Sequence, residues 1–277
     1  YDNIAPTIPV AILSSGGMTP KKALTKDVTH YLAHAGLSQI ITFSFMHKDG
    51  LTNMMLPEGD NRYTAIPILN PISEEFPYMR TTLVPAVIEA AKRNIAQQNK
   101  DLWLFETANV YEPKALPLTE VPHERPMACG IMMGKVTEAA WNQAQRDTDF
   151  YDVKGVVDGL LAKLGLTQYD IQPSSESYYH PGVSAHYTVN GVTIANYGEL
   201  HPQVVKNFDL SGKVYMFEID LEAVLSIIVP PFRYQSFSKF PGTSRDLAIV
   251  APVSVTSGDI VALIKEHGGE YLESVYI

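Results

Sequence analysis

Apolar residues recur along the chain at two spacings, and the switches between them lay out a mixed fold. Leu24, Val28, Tyr31, Leu32 and Ala35 fall on one helical stripe. Thr19 can cap that helix, Pro20 suits its first turn because a proline has no N–H to leave unpaired, and Gly36 ends it. Ile41, Phe43 and Phe45 follow at spacing two and predict a half-buried strand over 37–45. A second helix is predicted over 85–95, capped by Thr81 or Thr82, with Val84, Val87, Ile88, Ala91 and Ile95 inward. Residues 102–111 and 127–133 read as strands, the second holding Cys129 as a small buried hydrophobe. A third helix begins near Asp152, in capping position, and turns Val153, Val156, Val157, Leu160, Leu161 and Leu164 to the core before Gly165.

Asn190-Gly191 joins two alternating runs and predicts a hairpin, since a type I′ turn needs positive φ at both positions. A strand over 214–220 and a short helix over 221–228 follow. Helices interspersed with hairpins, without strict βαβ alternation, predict an α+β fold in which an antiparallel sheet carries flanking helices. Pro230 and Pro231 mark a boundary. Beyond it the pattern predicts a strand at 247–251, a helix over 257–267 capped near Thr256, and a strand at 271–277. The expected organisation is a linker with the tail of a preceding domain (1–20), a main domain (21–229) and a truncated βαβ piece (230–277).

Composition narrows the classes. With 277 residues, 45% hydrophobic and 18% charged, disorder and simple coiled coil are excluded, and no apolar run approaches a bilayer span. One cysteine makes no internal disulfide and no cysteine-built zinc site, which fits a reducing compartment, the cytoplasm by default. The net charge of -9, with no basic cluster longer than Lys21-Lys22 or Lys92-Arg93, predicts weak RNA binding at most by this stretch alone. The start at Tyr1 and the end at Ile277 inside an apolar run read as a segment of something longer.

Three constellations suggest chemistry and none holds together. Asp147, Asp149 and Asp152 lack the third donor and turn glycine of a calcium loop. His30 and His34 stand four apart on a helix, but Tyr31 occupies the general-base position of a zinc protease. His186, Glu199 and His201 have nothing to fix them around iron. Gly16-Gly17 lacks the Lys-Ser/Thr of a phosphate loop, and no nucleophile elbow is present. No metal site is expected.

A resemblance enters at Asn70-Pro71-Ile72-Ser73 and at the run from Tyr78 through Arg80-Thr81-Thr82 to Pro85. It continues through Leu104-Phe105-Glu106, the run from Asp149 to Gly155, His180-Pro181-Gly182, Gly198-Glu199-Leu200-His201-Pro202 and the run from Phe240 to Leu247. Each motif is short, but together, in this order and over nearly the whole chain, they resemble the β subunit family of bacterial phenylalanyl-tRNA synthetase. Tyr1-Asp2-Asn3-Ile4 is similar to the tail of that family's preceding helical domain. The resemblance implies a class II synthetase-like domain, then the start of a ferredoxin-like anticodon-binding domain.

Class II sites hold the developing phosphate charge with arginines. At the corresponding places this chain has Asn109-Val110-Tyr111-Glu112 and Phe217-Glu218-Ile219-Asp220-Leu221-Glu222. Asn109, Tyr111, Glu112, Glu218, Asp220 and Glu222 are therefore the expected degenerate ATP-site positions, repelling a triphosphate. The resemblance further implies no catalytic residue and no cofactor in this segment, with ATP and magnesium used in the full enzyme. The implied partners are an α subunit, tRNA(Phe) and an (αβ)2 assembly, with no membrane. Leu24, Val28, Tyr31, Leu32, Phe43 and Phe45 are the expected partner interface, unless the helical stripe packs on its own sheet. Arg80 is expected to pair with Glu74, Glu75 or a backbone carbonyl, or, like Arg245, to touch RNA or the partner. Two rivals stand beside this reading: a segment that itself binds ATP and activates an amino acid, and a stand-alone interaction module.

Overall fold

In a computed structural model the chain is described at all residues except 1, 13–15, 138–139, 228, 230–232 and 235. The Pro230-Pro231 boundary, Tyr1 of the first motif and the last residue of the helix expected over 221–228 lie outside the described residues. The chain divides into two units, Tyr1–Phe232 and Arg233–Ile277.

The first unit is built on one sheet. Its helices are α1 (Pro20–His34), α2 (Asp49–Asn53), α3 (Val84–Ala96), α4 (Phe150–Lys163), α5 (Pro202–Asn207) and α6 (Leu221–Ser226). Its strands are β1 (Ser38–Gln39), β2 (Phe45–Met46), β3 (Tyr78–Met79), β4 (Leu102–Glu112), β5 (His123–Met133), β6 (Asp170–Pro173), β7 (Tyr179–Val189), β8 (Val192–Leu200) and β9 (Val214–Asp220). Seven of these form a sheet in the order β1-β4-β5-β9-β8-β7-β6, antiparallel at every junction except the short parallel β1–β4 pair. Strands β2 and β3 pair separately.

Period-two alternation along the long strands sorts their side chains into two cores. Leu102, Leu104, Val110, Cys129, Ile131, Val214 and Met216 join α3 and α5 on one face. Phe105, Ala128, Met132, Tyr215, Phe217 and Ile219 join α1, α4 and α6 on the other. Local signals fix most boundaries. Thr19 accepts from Lys22 N at the start of α1, and Asn190 and Gly191 (φ 52° and 79°) make the expected β7–β8 turn. Gly165, at φ 77°, follows the end of α4.

Three details differ from expectation. Asp149 caps α4, while Asp152 completes a capping box by accepting from Asp149 N. At α3 the cap position is Leu83, with Thr82 Oγ1 accepting from Val84 N at 3.2 Å. The strand expected over 37–45 is interrupted: only Ser38–Gln39 and Phe45–Met46 pair, with different neighbours. Between them Thr42 N and Oγ1 donate to the Glu106 carboxylate, and the Phe43 carbonyl accepts from Arg80. Side chains have taken backbone groups that a ladder would use.

In the second unit, α7 (Ser257–His267) forms with the expected Thr256 cap, which makes a capping box with Asp259. Residues 247–251 and 271–277 are not strands, and Val250 stands fully open to solvent. A strand needs a hydrogen-bonded neighbour and a face to bury, and neither segment finds one among the described residues of this unit.

Helices α1 and α4 touch where Gly159 faces Tyr31: a Cβ added at Gly159 would lie 2.0 Å from Tyr31 Oη and 3.2 Å from its Cζ. Gly159→Ala is expected to destabilise the protein by about 1–2 kcal/mol by overpacking. In a Tyr31→Phe background the same change should cost less or stabilise, because the 2.0 Å contact with Oη is gone, the 3.2 Å approach to Cζ needs only a small shift, and alanine gains up to ~1 kcal/mol of helix propensity. Urea unfolding of the four proteins of this cycle checks it; equal effects in both backgrounds would refute the contact.

Candidate functional site

Strand parity decides which side chains can meet. On the α3 face, beyond the apolar core, the sheet opens into a cavity of about 260 Å³. Val110 of β4, Arg125 and Met127 of β5, Glu218 and Asp220 of β9 and Asn196 of β8 line it, with Arg62, Thr81, Thr82, Glu176 and Tyr178 from the loops and strand margins. Glu218 and Asp220 thus share this cavity, and Glu112 is joined to Asp220 through Arg125. Asn109 and Tyr111 do not, because their odd register sends them to the other side of β4 from Val110 and Glu112. Asn109 Nδ2 donates instead to Glu124 Oε2 at 2.9 Å. Glu222, in the first turn of α6, turns away from the cavity and lies 2.9 Å from His123 Nε2.

Both arginines of the cavity are held by two carboxylates each. Arg125 lies 2.6 Å from Glu112 and 3.1 Å from Asp220. Arg62 lies 2.8 Å from both Asp60 and Glu176. Burial works to lower the Arg62 pKa, but the hydrogen bonds to Asp60 and Glu176 and the charge of Glu176 work against it, and the pKa is pushed up. The hydrogen bond from Arg62 in turn holds the Asp60 carboxyl below its ordinary range. Asp220 has a second task, since its Oδ1 accepts from Glu222 N and Ala223 N, capping α6.

Glu218 is different. It is buried, with no guanidinium in contact; Thr82 donates to one carboxylate oxygen and Tyr178 to the other. Burial raises its pKa against these hydrogen bonds and the charge of Arg62. Tyr178 is fully buried, and burial followed by the Glu218 charge lifts its hydroxyl well above the ordinary value.

Arg80, expected to reach Glu74, Glu75 or RNA, is 3% exposed. Its Nη1 donates to Glu106, Thr42 and the Phe43 carbonyl, and its Nε to the Asn109 carbonyl at 2.9 Å. Of the partners expected for it, only the backbone carbonyls are right, and burial leaves it no surface for RNA. Arg245 lies in the second unit, exposed, bonded to Thr243 and the Ser244 carbonyl. Of the expected interface residues, Val28 and Leu32 are fully buried in the core beneath α1, so they hold the helix to its own sheet. Leu24 and Tyr31 lean on that same core. Phe43 is 67% exposed and Phe45 half-buried.

The weighed metal constellations have structural roles. Asp149 and Asp152 form the α4 cap, His201 caps α5, and one ring nitrogen of His34 bonds the His30 carbonyl. Among the described residues no group of three or more His, Cys, Asp or Glu could hold a metal ion, and no helix is long and apolar enough to cross a membrane. Sequence reasoning missed Arg62, Arg125, Glu176 and Tyr178. Only Arg125 carries a signal, standing at the parity of Met127 and Cys129 ahead of an apolar run.

Known proteins give this geometry its context. A pyrrolysyl-tRNA synthetase from Desulfitobacterium hafniense shares the fold, with a TM-score of 0.55 over 74% of this chain and 68% of that one at 15% identity. The phenylalanine–tRNA ligase beta subunit of Bacillus subtilis (strain 168) is 34% identical over 278 residues, covering 100% of this chain and 34% of that protein. That of Geobacter sulfurreducens is 35% identical over 271 residues, 95% of this chain and 33% of that protein. The chain thus spans about a third of the length of these relatives. Residues 4–221 match the domain described as the phenylalanyl tRNA synthetase beta chain CLM domain, and the chain belongs to the phenylalanyl-tRNA synthetase β-chain family.

Proposed function

We propose that the chain is a non-catalytic part of a β subunit that packs on a catalytic α subunit and supports the ATP-dependent attachment of phenylalanine to tRNA(Phe). One observation carries this reading. The cavity on the α3 face of the sheet offers two guanidinium groups against the carboxyls of Glu176, Glu218 and Asp220, and each guanidinium is already held by two carboxylates. A triphosphate requires unspent cations, and a carboxylate in place of an arginine near phosphate costs several kcal/mol even at high effective dielectric. ATP and magnesium then belong to the α subunit, and this segment carries neither. In this reading the working protein is an (αβ)2 assembly in the cytoplasm. We assign residues 21–229 to the synthetase-like domain and 230–277 to the start of a ferredoxin-like domain whose strands need pairing from elsewhere in the full β subunit.

ATP–pyrophosphate exchange dependent on phenylalanine tests the assignment. The chain alone should give none, and full-length β with α should give exchange; exchange by the chain alone would favour the rival in which it activates an amino acid itself.

Glu218 gives a second test, because in this reading it is a structural carboxyl. Its folded pKa is raised, so its contribution is complete below the unfolded carboxylate range, about 4.3, and is lost as pH rises through the folded pKa. Glu218→Gln removes that titration. Urea unfolding across about pH 5 to 8 should show the variant gaining on the parent as pH rises. A gap that does not change with pH would show that burial does not govern this carboxyl.

A further inference from the structure

Away from the acidic cavity, a groove of about 650 Å³ runs between the 42–47 strip, α3 and the loop carrying Phe76. At its mouth Phe43 and Phe76 lie with ring centroids 6.0 Å apart beside half-buried Phe45, and the buried Met46, Pro85 and Phe208 form its floor. Phe43 is 67% exposed, and Ile72 on the neighbouring loop 90%. An exposed phenylalanine and isoleucine at the mouth of an apolar groove have the composition of an interface core.

The rim has one dominant sign. Asp49, Glu74, Glu75 and Glu89 stand around the groove against a single guanidinium, Arg93. Asp49 is answered by His47 at 3.1 Å, whereas Glu74, Glu75 and Glu89 make no ion pair among the described residues. The aromatic strip is also held in place. Arg80 bonds the Phe43 carbonyl, and Thr42 is tied to Glu106, so residues 42–43 are fixed before anything binds. A preset apolar surface loses less conformational freedom on association.

We infer that this groove seats a bulky apolar side chain flanked by Lys or Arg on the α subunit, an inference that rests on the proposed α–β packing and adds the place and chemistry of the contact. Charge decides among occupants. RNA would bring phosphates towards three unanswered carboxylates, and a second copy would bring a chain of net charge -9. A basic partner surface is attracted and steered by the same rim.

Full-length β, unchanged or carrying Phe43→Ser or the pair Glu74→Lys and Glu75→Lys, is titrated against labelled α subunit at low and high salt. Phe43→Ser should weaken binding at least tenfold, mostly through faster dissociation. The charge-reversed pair should slow association and remove most of its salt dependence. All three side chains are on the surface, so thermal unfolding midpoints should stay close to the parent. If α binds unchanged β and neither variant alters affinity or salt dependence, the groove inference falls while the proposed function stands. If α does not bind unchanged β, both fall. Self-association or tRNA binding that follows these variants while α binding does not would overturn the inference in favour of that occupant.

Discussion

A guanidinium and a carboxylate sealed together beside β4 set the terms for the first unit. Arg80 and Glu106 lie 3.1 Å apart with side-chain exposures of 4% and 3%. Breaking such a pair by removing one member typically costs 3–5 kcal/mol, because the remaining charge has no water to turn to. Satisfying it takes the Thr42 hydroxyl and the carbonyls of Phe43 and Asn109 as well. Thr81 and Thr82 follow directly in sequence: Thr81 donates to the Arg62 carbonyl, and Thr82 donates to Glu218, whose other oxygen accepts from Tyr178. A buried polar spine therefore crosses from β4 through the entry to α3 into β9 and the start of β7. An apolar core tolerates small slippage; a chain of mutually satisfied donors and acceptors does so far less, since each shift strands a buried group.

The spine also explains what became of the cavity. A sheet that hosts nucleotide chemistry must present cations that stay unpaired until substrate arrives, which is costly to maintain. Here every cation near the opening has been answered internally. Arg80 is spent on Glu106, Arg62 on Asp60 and Glu176, and Arg125 on Glu112 and Asp220. The second carboxylate on each of the cavity arginines takes up donor capacity of the fork that would grip an oxyanion. Beyond adding negative charge, these carboxylates hold the arginines as struts between strands and loops.

Local signals made much of this legible in the sequence. The three long helices of the first unit, the Asn190-Gly191 hairpin and the strands β4, β5 and β9 follow from stripe, cap and turn chemistry acting over a few residues. Features that depended on distant partners were not. Ile41, Phe43 and Phe45 alternate like a strand, yet Glu106 and Arg80, far off in sequence, take the backbone groups between them. Residues 247–251 and 271–277 have strand composition without a neighbour to pair with. The acidic character of the site could be read from Glu112, Glu218 and Asp220, but the face of Asn109 and Tyr111 follows from the parity of β4, and the partners of Arg125 from registers that no single segment encodes.

The same expenditure of charge links the two sides of the molecule's chemistry. Arg80 reaches Glu106 and, with the same Nη1, the carbonyl of Phe43. Without this arginine the Phe43 carbonyl would lose its side-chain donor, one of the contacts that fix residues 42–43 beside Phe76. The buried cation and the aromatic strip are thus joined by a hydrogen bond. The concavity beside β9 has its arginines paired internally, while the face carrying Phe43 is an apolar ledge ringed with carboxylates, a combination of size and sign that suits a basic protein neighbour.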